Sequence, residues 1–515
     1  MTHFTSLIRP SLILMSLVLS FPTMADTSNL GSIRFPNSGA DDAQEDFIEG
    51  MLYMHNFEYD EAATAFKRAR TIDKDFAMAY WGEALTYHHP LWNQQSRKTA
   101  RDLLKTLGRT SEDRAAKVST QREKDYLGTI EILYGMTEDT RTLTKDVLDV
   151  RYRDAMRRLH EAYPDDHEAQ TLYGLSILGV GSRNREFSTY MRAAAVLTPV
   201  WDANRSHPGA AHYLIHSYDD PTHAPLGLPM ARAYSKIAPA AAHAQHMTSH
   251  IFVALGMWDD LVDSNATAIR VENEGREGPL LVAGHYVYWL QYGYLQQGRY
   301  DDATVLMQAA LDRMGENPKG GEKSYYGTMY ARYMLDTQDW KASEKWAAPD
   351  DVDIATPNYH FARAFAAIQN GQLDKARTHM DRVKPMKGGS PEVTADEETA
   401  AVLILELKAL LALAEGKTDE GVSLAQKAVE EEQALKFSFG PPHVMKPTSE
   451  LLGDILLSLD RAEEAMAAYT EQLTHTPRRT QSLVGLTRAA TKHGDSLVAS
   501  DTQQQLAQVL HLADK

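Results

Sequence analysis

Gln297-Gly298-Arg299-Tyr300-Asp301-Asp302-Ala303 is the stretch that decides the fold. An apolar pattern at helical spacing runs up to it, a glycine breaks the helix, an aromatic follows, and a second helical pattern opens on acids and alanine. The same punctuation returns at Asn56-Phe57-Glu58-Tyr59-Asp60-Glu61-Ala62 and at Leu255-Gly256-Met257-Trp258-Asp259-Asp260. Weaker copies stand at Asn370–Ala376 and Glu415–Gly421, and the last clear one at Leu459–Ala465. Acids just past each turn, such as Asp259 and Asp260, are helix-start residues favoured by the macrodipole. They need no further role.

Working outward from these turns, the chain reads as one unit repeated: helix A, a short turn, helix B. This resembles the tetratricopeptide repeat, whose period is about 34 residues. A single helical pair cannot bury its apolar face, so neighbours stack into one continuous core. The expected fold is an all-α tetratricopeptide (TPR) solenoid, a right-handed superhelix of roughly eight to ten units, some degenerate. The array is expected over residues 43–505, after a polar lead-in at 26–42 and before a tail at 506–515. Residues 272–279, 317–322 and 386–398 read as loops between repeats; the last, rich in Gly, Pro and acid, is the most linker-like.

Composition narrows the function. The chain has 515 residues, a net charge of -17 and no cysteine. Disulfides, thiolate metal sites and cysteine nucleophiles are therefore excluded. The acidic balance argues against nucleic acid, whose phosphates call for Lys and Arg, and against anionic lipid. Residues 1–25 read as a secretory signal: Arg9 in the basic region, an apolar run from Leu12 to Phe21, and small residues at Thr23 and Ala25. The run is too short to span a bilayer. The expectation is a periplasmic or secreted protein with no membrane insertion after cleavage before Asp26.

The histidines supply the candidate site. Of twenty, seven fall between His207 and His250. His212 pairs with His216 and His246 with His250 at i,i+4, which puts two imidazoles on one helical face, as two ligands of one metal require. The two pairs are offset by 34 residues, one repeat, so they should sit side by side on successive A helices. Anchored on Trp258, residues His243, His246 and His250 take groove-facing positions of helix A. Anchored on Tyr300, His285, Tyr288 and Tyr292 take the same positions in the next repeat. Asp219 and Asp220 follow the first pair closely. His55 and His89, also 34 residues apart, are further candidates.

The expected site is thus a transition-metal site of His212, His216, His246 and His250. Possible additional ligands are His55, His89, His243, His285, Asp219 and Asp220. Four histidines would suit copper, zinc or nickel; two histidines with a carboxylate would suit iron. The competing reading is a set of polar groove residues, with Tyr288 and Tyr292 free to stack on a ligand. His207 is expected to start a helix, and His223 to lie exposed in a Pro-rich turn. No P-loop, dinucleotide fingerprint, nucleophile elbow or HExxH is present.

AMAYWGEALTYHHPLW (residues 77–92), HPGAAHYLIHSYDDPTHAPLGLP (207–229), HMTSHIF (246–252) and FGPPHVMKPTSELLGDILLSL (439–459) together resemble a widespread family of exported bacterial tetratricopeptide-repeat proteins. Its members typically carry Pro where this chain has Thr248. The resemblance implies fold and export but no reaction. The leading expectation is an exported scaffold that binds a peptide or protein partner in its concave groove and carries the histidine site. The alternatives are a metal-dependent enzyme built on the solenoid and a periplasmic metal chaperone.

Overall fold

The computed structural model describes residues 27–182, 186–274, 278, 280–386 and 392–514. The signal-like segment 1–25 lies outside the described residues. Among those described there are twenty-four α-helices and, as the sole sheet, a two-residue ribbon pairing His88–His89 with Gln94–Gln95. The fold is an all-α stack of helical pairs, as the repeat pattern requires. Almost every helix packs on the next, and several alternate helices also touch, so that A helices line up beside A helices.

The repeat signature has a packing reason. Phe66, on a B helix, lies where Gly50 and Gly82 of the flanking A helices leave room. A Cβ would fall 2.8 Å from its ring at Gly50 and 2.4 Å at Gly82. Tyr469 sits in the same way between Gly453 and Gly485. Burying each such ring contributes roughly 1.5–3 kcal/mol, which is how neighbouring units hold one another.

Both ends are more deeply engaged than composition suggests. The polar lead-in docks on the array: Ser32 N donates to Ser206 O at 2.9 Å, and Phe35 packs on Phe47, Trp81 and Tyr126. The expected tail at 506–515 begins inside the helix Ser496–Val509 and returns to the turn that opened the sequence reading. Asp514 accepts from the Asp301 N–H at 2.7 Å.

Part of the expected groove is covered by the chain itself. Trp258 Nε1 donates to Arg478 O at 3.1 Å, Thr480 N to Gln296 Oε1 at 3.0 Å, and Arg332 to the carbonyls of Pro442 and Met445. At Gly256, with φ +64°, a Cβ would stand 2.4 Å from Pro477 O, so this contact needs glycine. The C-terminal repeats thus fold back on the middle of the array. Tyr288 and Tyr292 are 1% and 0% exposed, not open to stack on a ligand. Tyr292 is covered by the guanidinium of Arg332, 5.0 Å from its ring. No helix among the described residues is long and apolar enough to cross a membrane.

Candidate metal centre

Three neighbouring A helices carry the site: Pro208–Ser217, Ala242–Ala254 and His285–Gln296. The first starts on Pro208, with His207 as its N-cap; His207 Nδ1 accepts the Ala210 N–H at 3.2 Å, in line with its expected helix-start role. Helical spacing then directs His212 and His216 inward together, and likewise His243, His246 and His250. His285 occupies the first position of the third helix.

The four core histidines do not form one site. They divide into two trios. His212 and His216 group with His243, while His246 and His250 group with His285. In the first trio, His212 Nε2 lies 3.1 Å from His216 Nε2 and 3.2 Å from His243 Nε2. In the second, His246 Nε2 lies 3.2 Å from His250 Nε2 and 2.7 Å from His285 Nε2.

The outer nitrogens decide what these contacts mean. His250 Nδ1–H donates to Asp219 Oδ2 at 2.6 Å, and His285 Nδ1–H to Glu392 Oε2 at 2.6 Å. His246 Nδ1–H donates to Asn265 Oδ1 at 2.7 Å; the Asn265 amide is oriented by its own donation to Leu261 O. All three partners are acceptors, so the outer nitrogens of His246, His250 and His285 each carry a proton, and an imidazole with that single proton turns a bare Nε2 inward. His246 Nε2 then faces the inner nitrogens of both His250 and His285 within hydrogen-bond distance. In the first trio His212 Nδ1–H donates to His55 O at 2.7 Å, so its inner nitrogen has one lone pair for two facing imidazoles. Burial pushes the His212, His243 and His246 imidazoles well below the usual histidine range, which keeps them neutral. Lone pairs converging in a dry interior repel unless a cation lies between them. Nitrogens held ~2.0–2.1 Å from one tetrahedral ion stand about 3.3 Å apart, close to most of these distances.

A third cluster provides the contrast. His55 Nε2 lies 2.7 Å from Glu168 Oε2, His207 Nε2 lies 3.0 Å from Glu168 Oε1, and His55 Nδ1 faces the Tyr213 hydroxyl at 3.1 Å. Here protons account for both His55 contacts, one donated to Glu168 and one accepted from Tyr213. Burial pushes the Glu168 carboxyl up, but the two imidazoles outweigh it and hold it well below the usual carboxylate range. This is a hydrogen-bonded ion-pair network, and it supports the His55 carbonyl that anchors His212.

Other expected ligands are placed differently. His89 stacks on Tyr59 with centroids 3.9 Å apart and stands outside both trios. Asp220 accepts from the backbone N–H and Nδ1 of His223, which is 24% exposed, and does not reach an inner nitrogen. Asp219 orients His250 from behind instead of ligating, so the two-histidine-one-carboxylate arrangement that suits iron is not formed. Glu392 and Asn265 went unread in the sequence. Glu392 lies in the stretch read as linker, yet it is 5% exposed and also accepts from Trp289 Nε1 at 2.9 Å. Burial pushes its carboxyl up, but His285 and Trp289 more than offset this and keep it ionised.

Aromatics wall the centre. Phe57 packs on His212 at 4.3 Å, Trp289 on His250 at 4.5 Å, and Phe439 on His250 at 5.2 Å. Gly440, at φ +86°, brings the chain so close that a Cβ would meet Trp289 Cζ2 at 2.5 Å. Glycine there lets the segment after Phe439 close over the second trio.

No family model matches this chain, and no curated protein does. Solved structures similar to it include the human IFIT1 dimer with m7Gppp-AAAA, at 13% identity and a TM-score of 0.37, covering 94% of this chain and 92% of that one. Another is the APC/C hetero-tetramer Cut9-Hcn1, at 11% identity and a TM-score of 0.36, covering 88% and 78%. Nothing those proteins bind transfers to this chain at such values.

Proposed function

We propose that this chain is a transition-metal protein in which a helical-repeat scaffold holds two ions, one in each histidine trio. The observation that carries the reading is the convergence of three imidazole nitrogens in each trio, with the outer nitrogens of His212, His246, His250 and His285 committed to acceptors. Each trio offers three imidazole nitrogens and no anionic ligand, a donor set that suits copper or zinc. Three protein ligands leave a further coordination position, the pattern of a catalytic or small-molecule site and not of a closed structural one. The metalloenzyme alternative is favoured over the partner-binding groove, because Tyr288 and Tyr292 are buried and the C-terminal repeats cover part of the groove. Metal delivery is disfavoured too: His212 and His246 are both 0% exposed, which slows the exchange a chaperone needs.

The residues behind the ligands support the same reading. Carboxylates on the outer nitrogens fix ring orientation and raise ligand basicity. The second trio has two of them, Asp219 and Glu392, while His212 in the first leans on a neutral carbonyl. The second trio should fill first.

Elemental analysis of residues 26–515, purified without a histidine tag and supplied with copper or zinc, is expected to give two ions per chain. Titration should resolve a tighter and a weaker step. A chain that takes up neither metal at stoichiometric level would overturn the proposal.

Export belongs to the same proposal. Cleavage before Asp26 would leave the docked lead-in intact, since Leu30 is buried and Ser32 pairs with Ser206. Expression of the full chain in a bacterial host should give a periplasmic product whose mass starts at Asp26. A cytoplasmic product retaining Met1 would refute export.

A further inference from the structure

The two trios share a wall. The rings of His216 and His250 are 5.9 Å apart between centroids, and those of His243 and His246 are 6.2 Å apart, so two ring pairs form the boundary. The less buried member of each trio, His243 or His285, stands in the first turn of its helix, one repeat from the other. His285 has a side chain 31% exposed. Both sites are thus approached from the same end of neighbouring A helices. Trp92, 43% exposed, stands beside His243 at 6.2 Å, and Tyr325 stands beside His285 at 6.4 Å. Any ligand arriving there meets both sites between apolar aromatic walls, with no protein anion among the six inner donors.

We propose that the two sites act as one dinuclear copper centre that binds dioxygen between its ions. This rests on the metal reading above and adds a ligand to it. Six neutral imidazoles leave two Cu(I) ions with a total charge of +2. Between aromatic walls that favours a small neutral ligand able to accept electron density from both ions. The step balances without an outside reductant: each Cu(I) gives one electron, becoming Cu(II), and the dioxygen gains two to become peroxide. The oxygen–oxygen bond order falls from two to one, no proton moves, and reversal returns dioxygen. The outer carboxylates Asp219 and Glu392 offset part of the +2 charge, which the step leaves unchanged because the bound peroxide carries the two electrons the ions lose. They lie behind the ligands, where they do not compete for the bridging position.

The test uses the full mature chain loaded anaerobically with Cu(I) and checked for copper content before oxygen is admitted. One dioxygen should be consumed per two coppers, and the oxidised protein should show far fewer electron-paramagnetic spins than coppers, because bridged Cu(II) ions couple. His243→Ala should keep copper in the second trio yet lose oxygen uptake, with its remaining copper fully visible as spin after chemical oxidation. Failure to load copper would overturn the dinuclear copper proposal, and failure to load zinc as well would refute the metal reading itself. Two coppers per chain with no oxygen uptake, or with a spin count equal to the copper count, would overturn the dinuclear proposal and leave two independent sites. Uptake retained in His243→Ala would overturn it as well.

Discussion

Replacing His246 and His250 together by alanine is expected to remove one metal ion per chain and leave the other in place. These two imidazoles supply two of the three inner nitrogens of the second trio, and His285 alone cannot hold an ion in competition with water. The first trio keeps all of its ligands, so its ion should persist at reduced affinity through the lost shared wall. Subtler changes separate ligation from packing. Glu392→Gln and Asp219→Asn keep shape but remove the negative charge behind His285 and His250. Loss of such an outer partner typically costs about 10–100-fold in metal affinity. Each should weaken the tighter binding step by about that factor while the weaker step stays put. Isothermal titration with zinc resolves the two. Loss of both steps from Glu392→Gln, or no change in either, would refute the assignment of Glu392 to the second trio.

Replacing Arg479 by methionine is expected to be the most damaging single change to the fold. Arg479 is 0% exposed and lies between two buried carboxylates, donating to Asp336 at 2.6 Å and to Glu450 at 2.9 Å. These partners come from three separate parts of the chain, and the same neighbourhood joins the C-terminal repeats to the middle of the array through Thr480 and Gln296. Methionine fills most of the volume but leaves two buried carboxylates facing each other, with only Lys446 still paired to Glu450, at 2.8 Å. Breaking a buried pair on one side typically costs about 3–5 kcal/mol. Urea unfolding at neutral pH should show a loss of that size.

The pH dependence carries a sign. Burial pushes the Glu450 carboxyl up, but Arg479 and Lys446 outweigh it and hold it well below the usual carboxylate range. A carboxyl depressed in the folded state stabilises above its unfolded pKa, and that contribution is lost as pH falls through the folded value. The gap between wild type and Arg479→Met should therefore be full at neutral pH and narrow once pH drops below the ordinary glutamate range. A gap that stays constant down to strongly acidic pH would show that lost packing, not lost charge, is responsible.

Periodicity alone established much of this protein. The turns at Phe57–Tyr59, Gly256–Trp258 and Gly298–Tyr300 sit where the glycine–aromatic punctuation put them, because a helix-pair repeat is written in local signals: breaker, aromatic, acid, alanine. The i,i+4 and one-repeat spacings likewise brought His212, His216, His246 and His250 onto neighbouring helices, since helix geometry and repeat stacking are both short-range rules. What periodicity could not decide was how those four divide, because that depends on the offset between adjacent helices, which assigned His243 to one pair and His285 to the other. Nor could it find Glu392, whose carboxylate reaches His285 from 107 residues away in a stretch that reads as linker. The filling of the groove was equally invisible. It depends on how a small rotation per repeat accumulates until Arg479 meets Asp336, and no local pattern encodes a sum over the whole array.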